Sequence, residues 1–206
     1  MSILKQLVFT PRCLICSSLG VEYCATCITT IKPFRAKDLS EVESCFCAGE
    51  YSGWLRDSLI CYKNGDARYA DMLAQILFNT FERFLESKNL TLIPIPSSQQ
   101  KVRDRGFDSV ANLCGQIAQD KTSVKFDDSN LYLRRQVLDQ VGLSAAQRHD
   151  NLEGAFGTRR AMYGTVVIVD DVITTGATLN SAAKALRFAG AQRIFALALC
   201  GTPKTR

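Results

Sequence analysis

Two adjacent carboxylates, Asp170 and Asp171, follow a run of β-branched residues at positions 166–169. Such a run is typical of a central parallel strand that is covered on both faces, and open α/β sheets bind ligands at the carboxyl ends of their strands. Residues 174–178 read Thr-Thr-Gly-Ala-Thr and lead into a helical pattern. Because N–H groups at the start of a helix attract anions and Gly176 permits a close backbone approach, this turn predicts a phosphate site.

Two acids beside an anion site would repel phosphate, so we expect Asp170 and Asp171 to accept hydrogen bonds from ribose hydroxyls while Mg²⁺ screens a diphosphate. A buried strand ending in Asp also resembles a Walker B strand, but the chain has no Gly-Lys dipeptide for the partner phosphate loop. It has no G-x-G tripeptide either, which excludes the dinucleotide fingerprint. A core strand with a solvated turn would explain residues 166–169 and leave the acids and threonines unexplained.

The cysteines indicate a second site near the N-terminus. Six of the nine lie in the first 47 residues, and Cys13, Cys16, Cys24 and Cys27 form two C-x-x-C pairs separated by seven residues. Four thiolates at about 2.3 Å from one ion complete a tetrahedral zinc site. A redox C-x-x-C is the alternative, but one such motif would suffice for that chemistry. The spacing therefore predicts a structural Zn²⁺ in a small module.

The remaining cysteines look like small buried residues rather than ligands. We expect Cys45 and Cys47, in a strand-like run, to point to opposite faces of the strand. Cys61, Cys114 and Cys200 are isolated. A second metal site that uses Cys45, Cys47 or Cys61 is left open.

Composition places these sites in an ordinary globular protein. The 206 residues are 47% hydrophobic and 22% charged, enough for one sizeable core and a small appendage. The net charge of +5 suits an anionic ligand, either a phosphorylated metabolite or a nucleic acid. No apolar run reaches the roughly 20 residues of a membrane helix, and the first eight residues lack a signal-peptide pattern. We expect a cytoplasmic protein with no membrane insertion.

Alternating strands and helices predict an α/β sheet preceded by the cysteine module. We place the module in residues 1–35, the α/β domain in 36–206 and a mobile loop at about 134–160. The expected elements are listed in chain order: a strand at 45–51, a core-facing helix at 68–86, a strand at 91–95, a helix at 107–119, a polar loop at 122–130, the strand at 166–169 with a helix after it, and a last strand at 194–200.

Residues 166–179 resemble the phosphoribosyl pyrophosphate (PRPP) motif of type I phosphoribosyltransferases. The flanking segments resemble the ComF family, which is associated with DNA uptake competence in bacteria. The matching residues are Ile93-Pro94-Ile95-Pro96, Arg105-Gly106-Phe107, Gln140, Gly142-Leu143-Ser144, Arg148, Asn151-Leu152, Gly154-Ala155-Phe156 and Gly190-Ala191. One departure is clear. The family usually has Asn-Gln after Arg-Gly-Phe, whereas this chain has Asp108-Ser109 after Arg105-Gly106-Phe107.

The resemblance implies a type I phosphoribosyltransferase fold, a mostly parallel sheet flanked by helices, with an N-terminal zinc ribbon. It implies that the catalytic acids Asp170 and Asp171 hold the ribose hydroxyls. Thr174, Thr175, Gly176, Ala177 and Thr178 would hold the 5′-phosphate. Facing the pyrophosphate would be Lys101, Arg103 and Arg105 from one loop and Arg134, Arg135 and Arg148 from the mobile loop. From charge alone, the first of these loops could equally be a solvated face.

Two functions remain open. One is transfer of phosphoribose from PRPP, with Mg²⁺, to an unidentified acceptor. The other is handling of single-stranded DNA with the competence machinery, with the PRPP fold as a binding or regulatory site without turnover. Arginines near Phe107, Tyr132 and Phe156 would suit stacked bases. His149, between Arg148 and Asp150, belongs to no triad, and we expect it to be exposed and not catalytic.

Overall fold

The computed structural model describes residues 10–36, 38–84, 90–120, 124–134 and 154–203. The helices are α1 (Ala25–Thr29), α2 (Gly53–Lys63), α3 (Ala70–Phe84), α4 (Gln99–Arg105), α5 (Ser109–Asp120) and α6 (Ala177–Phe188), with a 3₁₀ turn at Ala67–Tyr69. The strands are β1 (Phe34–Arg35), β2 (Ser44–Glu50), β3 (Leu90–Pro94), β4 (Val124–Phe126), β5 (Leu131–Leu133), β6 (Phe156–Thr158), β7 (Thr165–Ile173) and β8 (Arg193–Gly201).

The main sheet has the strand order β1-β2-β8-β7-β3-β4. Every neighbouring pair in it is parallel except β1 and β2, which are antiparallel. Strands β5 and β6 form a separate antiparallel hairpin. A mostly parallel sheet with helices packed on it is the fold class that the sequence predicted.

Strand β7 lies inside the sheet and divides its side chains between two hydrophobic cores. Val167 and Val169 pack with residues of α2, α3 and α5 on one face. Val166 and Ile168 pack with residues of α6 and the β5–β6 hairpin on the other. Successive strand residues point to opposite faces, so a strand covered on both sides needs the continuous apolar run seen in the sequence.

Several expected elements differ from the structure. Lys101, Arg103 and Arg105 lie in helix α4 and not in a loop. Residues 122–130, expected to be a polar loop, contain the short edge strand β4. Strand β7 continues through both acids to Ile173, because its pairing with β8 continues to Gly201.

The expectation that Cys45 and Cys47 point to opposite faces is wrong. Both side chains belong to the hydrophobic cluster that contains α6. Residues two apart in a strand share a face, so strand geometry itself places these thiols together. Both are buried, as expected.

The cysteine-rich segment packs directly against the main domain. Ile15, Tyr23, Ile28 and Ile31 are partly buried against the core that contains α3 and α5. The segment therefore adds apolar contacts to a core that the sheet and helices build. Within the described ranges, no helix combines the length and the apolar character needed to cross a membrane.

Candidate functional site

The carboxyl ends of β3 and β7 form one edge of the sheet. The N–H group of Ile95 donates to the Val169 carbonyl at 2.8 Å, so β3 and β7 remain paired up to the first acid. Helix α4 follows β3, while Asp170 and Asp171 lie in the last four residues of β7. Parallel pairing thus brings the acids and the basic α4 segment, which are far apart in sequence, to the same edge.

The turn after β7 has the backbone geometry expected of a phosphate-binding turn. Gly176 has φ 76° and is the N-cap of α6. A Cβ atom at this position would overlap the Leu39 side chain. The Thr175 hydroxyl accepts a hydrogen bond from the Ala177 N–H at 3.3 Å. The sharp turn therefore depends on glycine and presents the N-terminus of a twelve-residue helix beside the acids.

The two acids occupy different electrostatic environments. Asp170 is partly buried and its Oδ1 accepts the Asp171 N–H at 2.8 Å. Burial, followed by the negative charge of Asp171, raises the pKa of Asp170 well above its usual range. Asp108 is close enough to act in the same direction. A carboxyl group whose charged form is disfavoured by burial and by a neighbouring acid is suited to hydrogen bonds with neutral groups such as sugar hydroxyls.

Lys63 is a site residue that sequence analysis missed. Its Nζ lies 2.6 Å from Asp171 Oδ2, and the two side chains are 22% and 20% exposed. Lys63 ends helix α2, more than one hundred residues before the acids. The only signal in the sequence is a lysine just before the Asn64-Gly65 turn, which is a common helix ending.

Tyr62 fixes the end of α2 against α5. Its hydroxyl lies 2.9 Å from Asn112 Oδ1 and 3.1 Å from the Ser109 carbonyl oxygen, both of which are acceptors. Its ring packs against Phe107 with centroids 5.2 Å apart. Burial raises the pKa of Tyr62, so the hydroxyl remains a neutral donor. The neighbouring Lys63 therefore starts from a well-anchored backbone.

Asp108 and Ser109, which depart from the family pattern, have structural roles. Asp108 Oδ1 accepts the N–H groups of Val110 and Ala111, both at 3.1 Å, and so caps helix α5. Its Oδ2 accepts the Ser97 N–H at 3.1 Å. Ser109 is buried, and its hydroxyl accepts a long hydrogen bond of 3.5 Å from Arg105. These residues join the segment after β3 to α5.

The basic residues of α4 differ in their surroundings. Ser98 caps the helix by accepting the Lys101 N–H at 3.3 Å. Lys101 and Arg103 are exposed, and Arg103 donates to Gln100 Oε1 at 3.0 Å. Arg105 is partly buried against Ser109. The structure brings α4 to the sheet edge that carries the acids, and contact of its cations with pyrophosphate stays a prediction.

Arg134 directly follows the last residue of β5. It is exposed and lines a groove of about 410 Å³ between the β5–β6 hairpin and helix α6, together with Lys184 and Phe188. The other residues expected from the mobile loop, Arg135, Arg148 and His149, lie outside the described residues. The groove also reaches Ala177 of the phosphate turn.

The cysteine cluster has the geometry of a metal site. The Sγ atoms of Cys13, Cys16, Cys24 and Cys27 all lie within 4.8 Å of one another. Cys16 Sγ and Cys24 Sγ are 3.7 Å apart, and sulfurs on a tetrahedral zinc ion with bonds of about 2.3 Å are about 3.8 Å apart. All four cysteines are free of disulfides. These thiols are close enough to hold one zinc ion.

Hydrogen bonds favour the thiolate form in part of this cluster. A hydrogen bond from the Ser18 hydroxyl lowers the pKa of Cys16 to about 6. For Cys13, burial raises the pKa, but backbone hydrogen bonds from Cys16, Ile15 and Cys24 outweigh it and lower the pKa overall. Thiolates are the form that binds metal, so this backbone suits a cation at its centre.

Comparison with known proteins finds one matching family model and several related proteins. The phosphoribosyl transferase domain matches residues 129–206. Competence protein F of Haemophilus influenzae is 28% identical over 201 residues, covering 92% of this chain and 84% of that protein. Competence protein ComFC of Bacillus subtilis is 28% identical over 141 residues, covering 66% of this chain and 55% of that protein. DNA utilization protein YhgH of Escherichia coli O157:H7 is 33% identical over 112 residues, covering 54% of this chain and 49% of that protein.

These similarities confirm the resemblance to the ComF family and the type I phosphoribosyltransferase fold. The stretch that matches the phosphoribosyl transferase domain begins before β5 and contains the acids and the phosphate turn. The match to competence protein F extends over most of both chains. The alignments with the Bacillus and Escherichia proteins span only about half the length of those relatives.

Proposed function

We propose that the chain binds PRPP with Mg²⁺ at the edge formed by β3 and β7 and transfers the phosphoribosyl group to an acceptor, because its residues 129–206 match the phosphoribosyl transferase domain. The observation that carries this proposal is the arrangement of residues at the carboxyl end of β7. There, Asp170 and Asp171 are followed within a few residues by the left-handed Gly176 and the N-terminus of α6. Such an edge offers acceptors for a sugar diol next to donors for a phosphate.

Each part of the ligand has a counterpart in the chain. Asp170 and Asp171 accept hydrogen bonds from the ribose hydroxyls, and residues 174–178 bind the 5′-phosphate. Arg105 and its neighbours on α4 lie on the same edge and favour the pyrophosphate end. Within the described part of the chain, the cysteines form the only cluster of three or more metal-ligating side chains. Mg²⁺ often uses one or two carboxylates plus substrate phosphates, which the two acids can provide.

The reaction requires no protein nucleophile. The bond between ribose C1 and the pyrophosphate oxygen breaks, pyrophosphate leaves with the electron pair, and the acceptor forms a new bond to C1. Mg²⁺ bound to the diphosphate supplies charge neutralisation of the leaving group. The protein contributes positioning of the sugar, donors for the phosphates and exclusion of water.

Ligand-induced stabilisation tests this proposal. At about 100 times its dissociation constant, PRPP with Mg²⁺ should stabilise the fold by about 2.7 kcal/mol, seen as a higher melting temperature. Asp170→Asn with Asp171→Asn should remove the shift and leave the ligand-free protein folded, because the ribose loses its carboxyl acceptors. Asp57→Asn, which changes an exposed carboxylate paired with Arg56, should keep the full shift. An unchanged shift in the double variant would show that the acids are assigned wrongly.

We also propose that Cys13, Cys16, Cys24 and Cys27 bind one structural Zn²⁺. The mutual distances of the sulfurs support this, as do the hydrogen bonds that stabilise thiolates. The metal would organise a segment that has few core residues of its own. It would also hold Ile15 and Tyr23 against the main core.

Single-stranded DNA handling is the second candidate function. The relatives include proteins named for competence and for DNA utilization. Basic and aromatic side chains line the groove beside α6, among them Arg134, Lys184 and Phe188, which is 94% exposed. Nearby, the Arg159 guanidinium stacks on Tyr132 at 4.8 Å from the ring centroid. Single strands bind such surfaces through base stacking and phosphate contacts.

A further inference from the structure

Lys63 forms a shielded ion pair inside the proposed ligand site. Its ammonium lies 2.6 Å from Asp171 Oδ2, with about one fifth of each side chain exposed. An ion pair on an open surface contributes little to stability, whereas a pair this enclosed is screened less by salt. The ammonium occupies the carboxylate that the proposed function assigns to a ribose hydroxyl.

The backbone of Lys63 is anchored, whereas its side chain is long and flexible. Leu59 and Tyr62 are each only 1% exposed, and the Tyr62 hydroxyl is tied to α5. Beyond this anchor, the lysine ammonium sits on a flexible four-carbon stem and carries three donors. It can therefore leave Asp171 without any movement of α2.

The negative charges at this edge favour movement of the ammonium towards a bound diphosphate. Asp171 and Asp108 are both close enough to Asp170 to raise the pKa of its carboxyl group. A diphosphate that approaches these acids is repelled by them and gains from any mobile cation. Lys63 already acts on Asp170 in the opposite direction to the acids.

We propose that Lys63 exchanges partners when PRPP binds: its ammonium leaves Asp171 for the diphosphate as ribose hydroxyls take its place at the carboxylate. This rests on the proposed function and adds a residue to its site. No proton is transferred and no bond breaks in the exchange. Asp171 keeps hydrogen-bond donors throughout, and the ammonium stays beside an anion. The ligand-free site is thus kept neutralised by the residue that later binds the ligand.

Two probes measured on one variant test the exchange. Lys63→Met should weaken Mg²⁺–PRPP binding about ten- to a hundredfold, the range for losing a charge-assisted hydrogen bond. Ribose 5-phosphate has no diphosphate, so its affinity should be unchanged or higher, because Asp171 is then free for the sugar. Isothermal titration calorimetry gives both constants. Lys125→Met, at an exposed lysine on edge strand β4, should bind both probes as the parent does.

Other outcomes would overturn the proposal. Equal weakening of both probes would mean that Lys63 only orients Asp171, and unchanged PRPP affinity would mean that it has no ligand role. If Lys63→Met does not fold, Lys63→Gln gives the same comparison, since it keeps a donor to Asp171 without the charge. A parent protein that binds no PRPP would contradict the proposed function itself. If the parent and the Lys63→Met variant bind PRPP with the same affinity, only the exchange is contradicted.

Discussion

The cysteine cluster and the carboxylate edge are assembled in opposite ways. The four cysteines lie within fifteen residues of one another in sequence, and a local turn brings their sulfurs within 4.8 Å. The edge combines the end of α2, the segment after β3, the cap of α5 and the exit of β7. One site therefore depends on local sequence spacing, and the other depends on the whole sheet.

The largest effect that separates the two regions should come from removing the metal ligands. Cys13→Ser with Cys16→Ser should eliminate one bound zinc per chain and unfold residues 10–35, because such modules obtain most of their folding energy from the metal. PRPP should still stabilise the remaining domain, since the edge shares no ligand with the cluster. Elemental analysis and hydrogen exchange measure the two effects.

Cys61→Ser serves as the matched control for the metal variant. Cys61 lies in α2, outside the cluster, so this variant should retain its zinc. Zinc-free protein after fresh reduction, or a disulfide among the four cysteines, would contradict the metal assignment. Loss of PRPP stabilisation together with zinc would show that the two regions are coupled.

Gly176→Ala should have an intermediate effect: it should lower the stability of the protein and weaken PRPP binding at the phosphate turn. A left-handed residue with a Cβ costs about 1–2 kcal/mol, and here the methyl group would also overlap Leu39. Gly164→Ala is the control, because Gly164 has a similar φ of 80° with open space around its Cβ position. Chemical denaturation should show the larger loss for Gly176→Ala, and only that variant should lose the PRPP shift. Equal losses would remove Leu39 from the explanation.

The smallest effect concerns DNA at the groove beside α6. Each phosphate contact contributes about −0.7 to the slope of log affinity against log salt for single strands. Arg134→Glu with Lys184→Glu should therefore flatten the slope by about 1.4. A labelled oligonucleotide titrated at several salt concentrations measures this. Lys32→Glu with Lys125→Glu, exposed elsewhere, should flatten it less. No binding at low salt in the parent would rule out DNA handling at this groove.

The sequence predicted the features that are set by residues close to one another in the chain. The C-x-x-C spacing predicted the sulfur cluster, and the apolar run before Asp170 predicted a strand buried on both faces. It did not predict Lys63, because only the packing of α2 against α5 brings that residue to Asp171. It also placed the cations after Pro96 in a loop, although Ser98 caps a short helix there. The edge strand β4 was missed because three residues carry too little periodicity.

The order of strands in the sheet has a consequence for synthesis of the chain. Strands β2 and β3 are made early, yet β8 and β7 lie between them in the sheet. Both central strands leave the ribosome after the other described strands, so early and late segments must pair across long stretches of chain, which slows folding. Until β8 is available, β2 and β7 each present an open edge that can pair with other chains. The nascent chain therefore exposes strand edges that favour aggregation until its last strand has inserted.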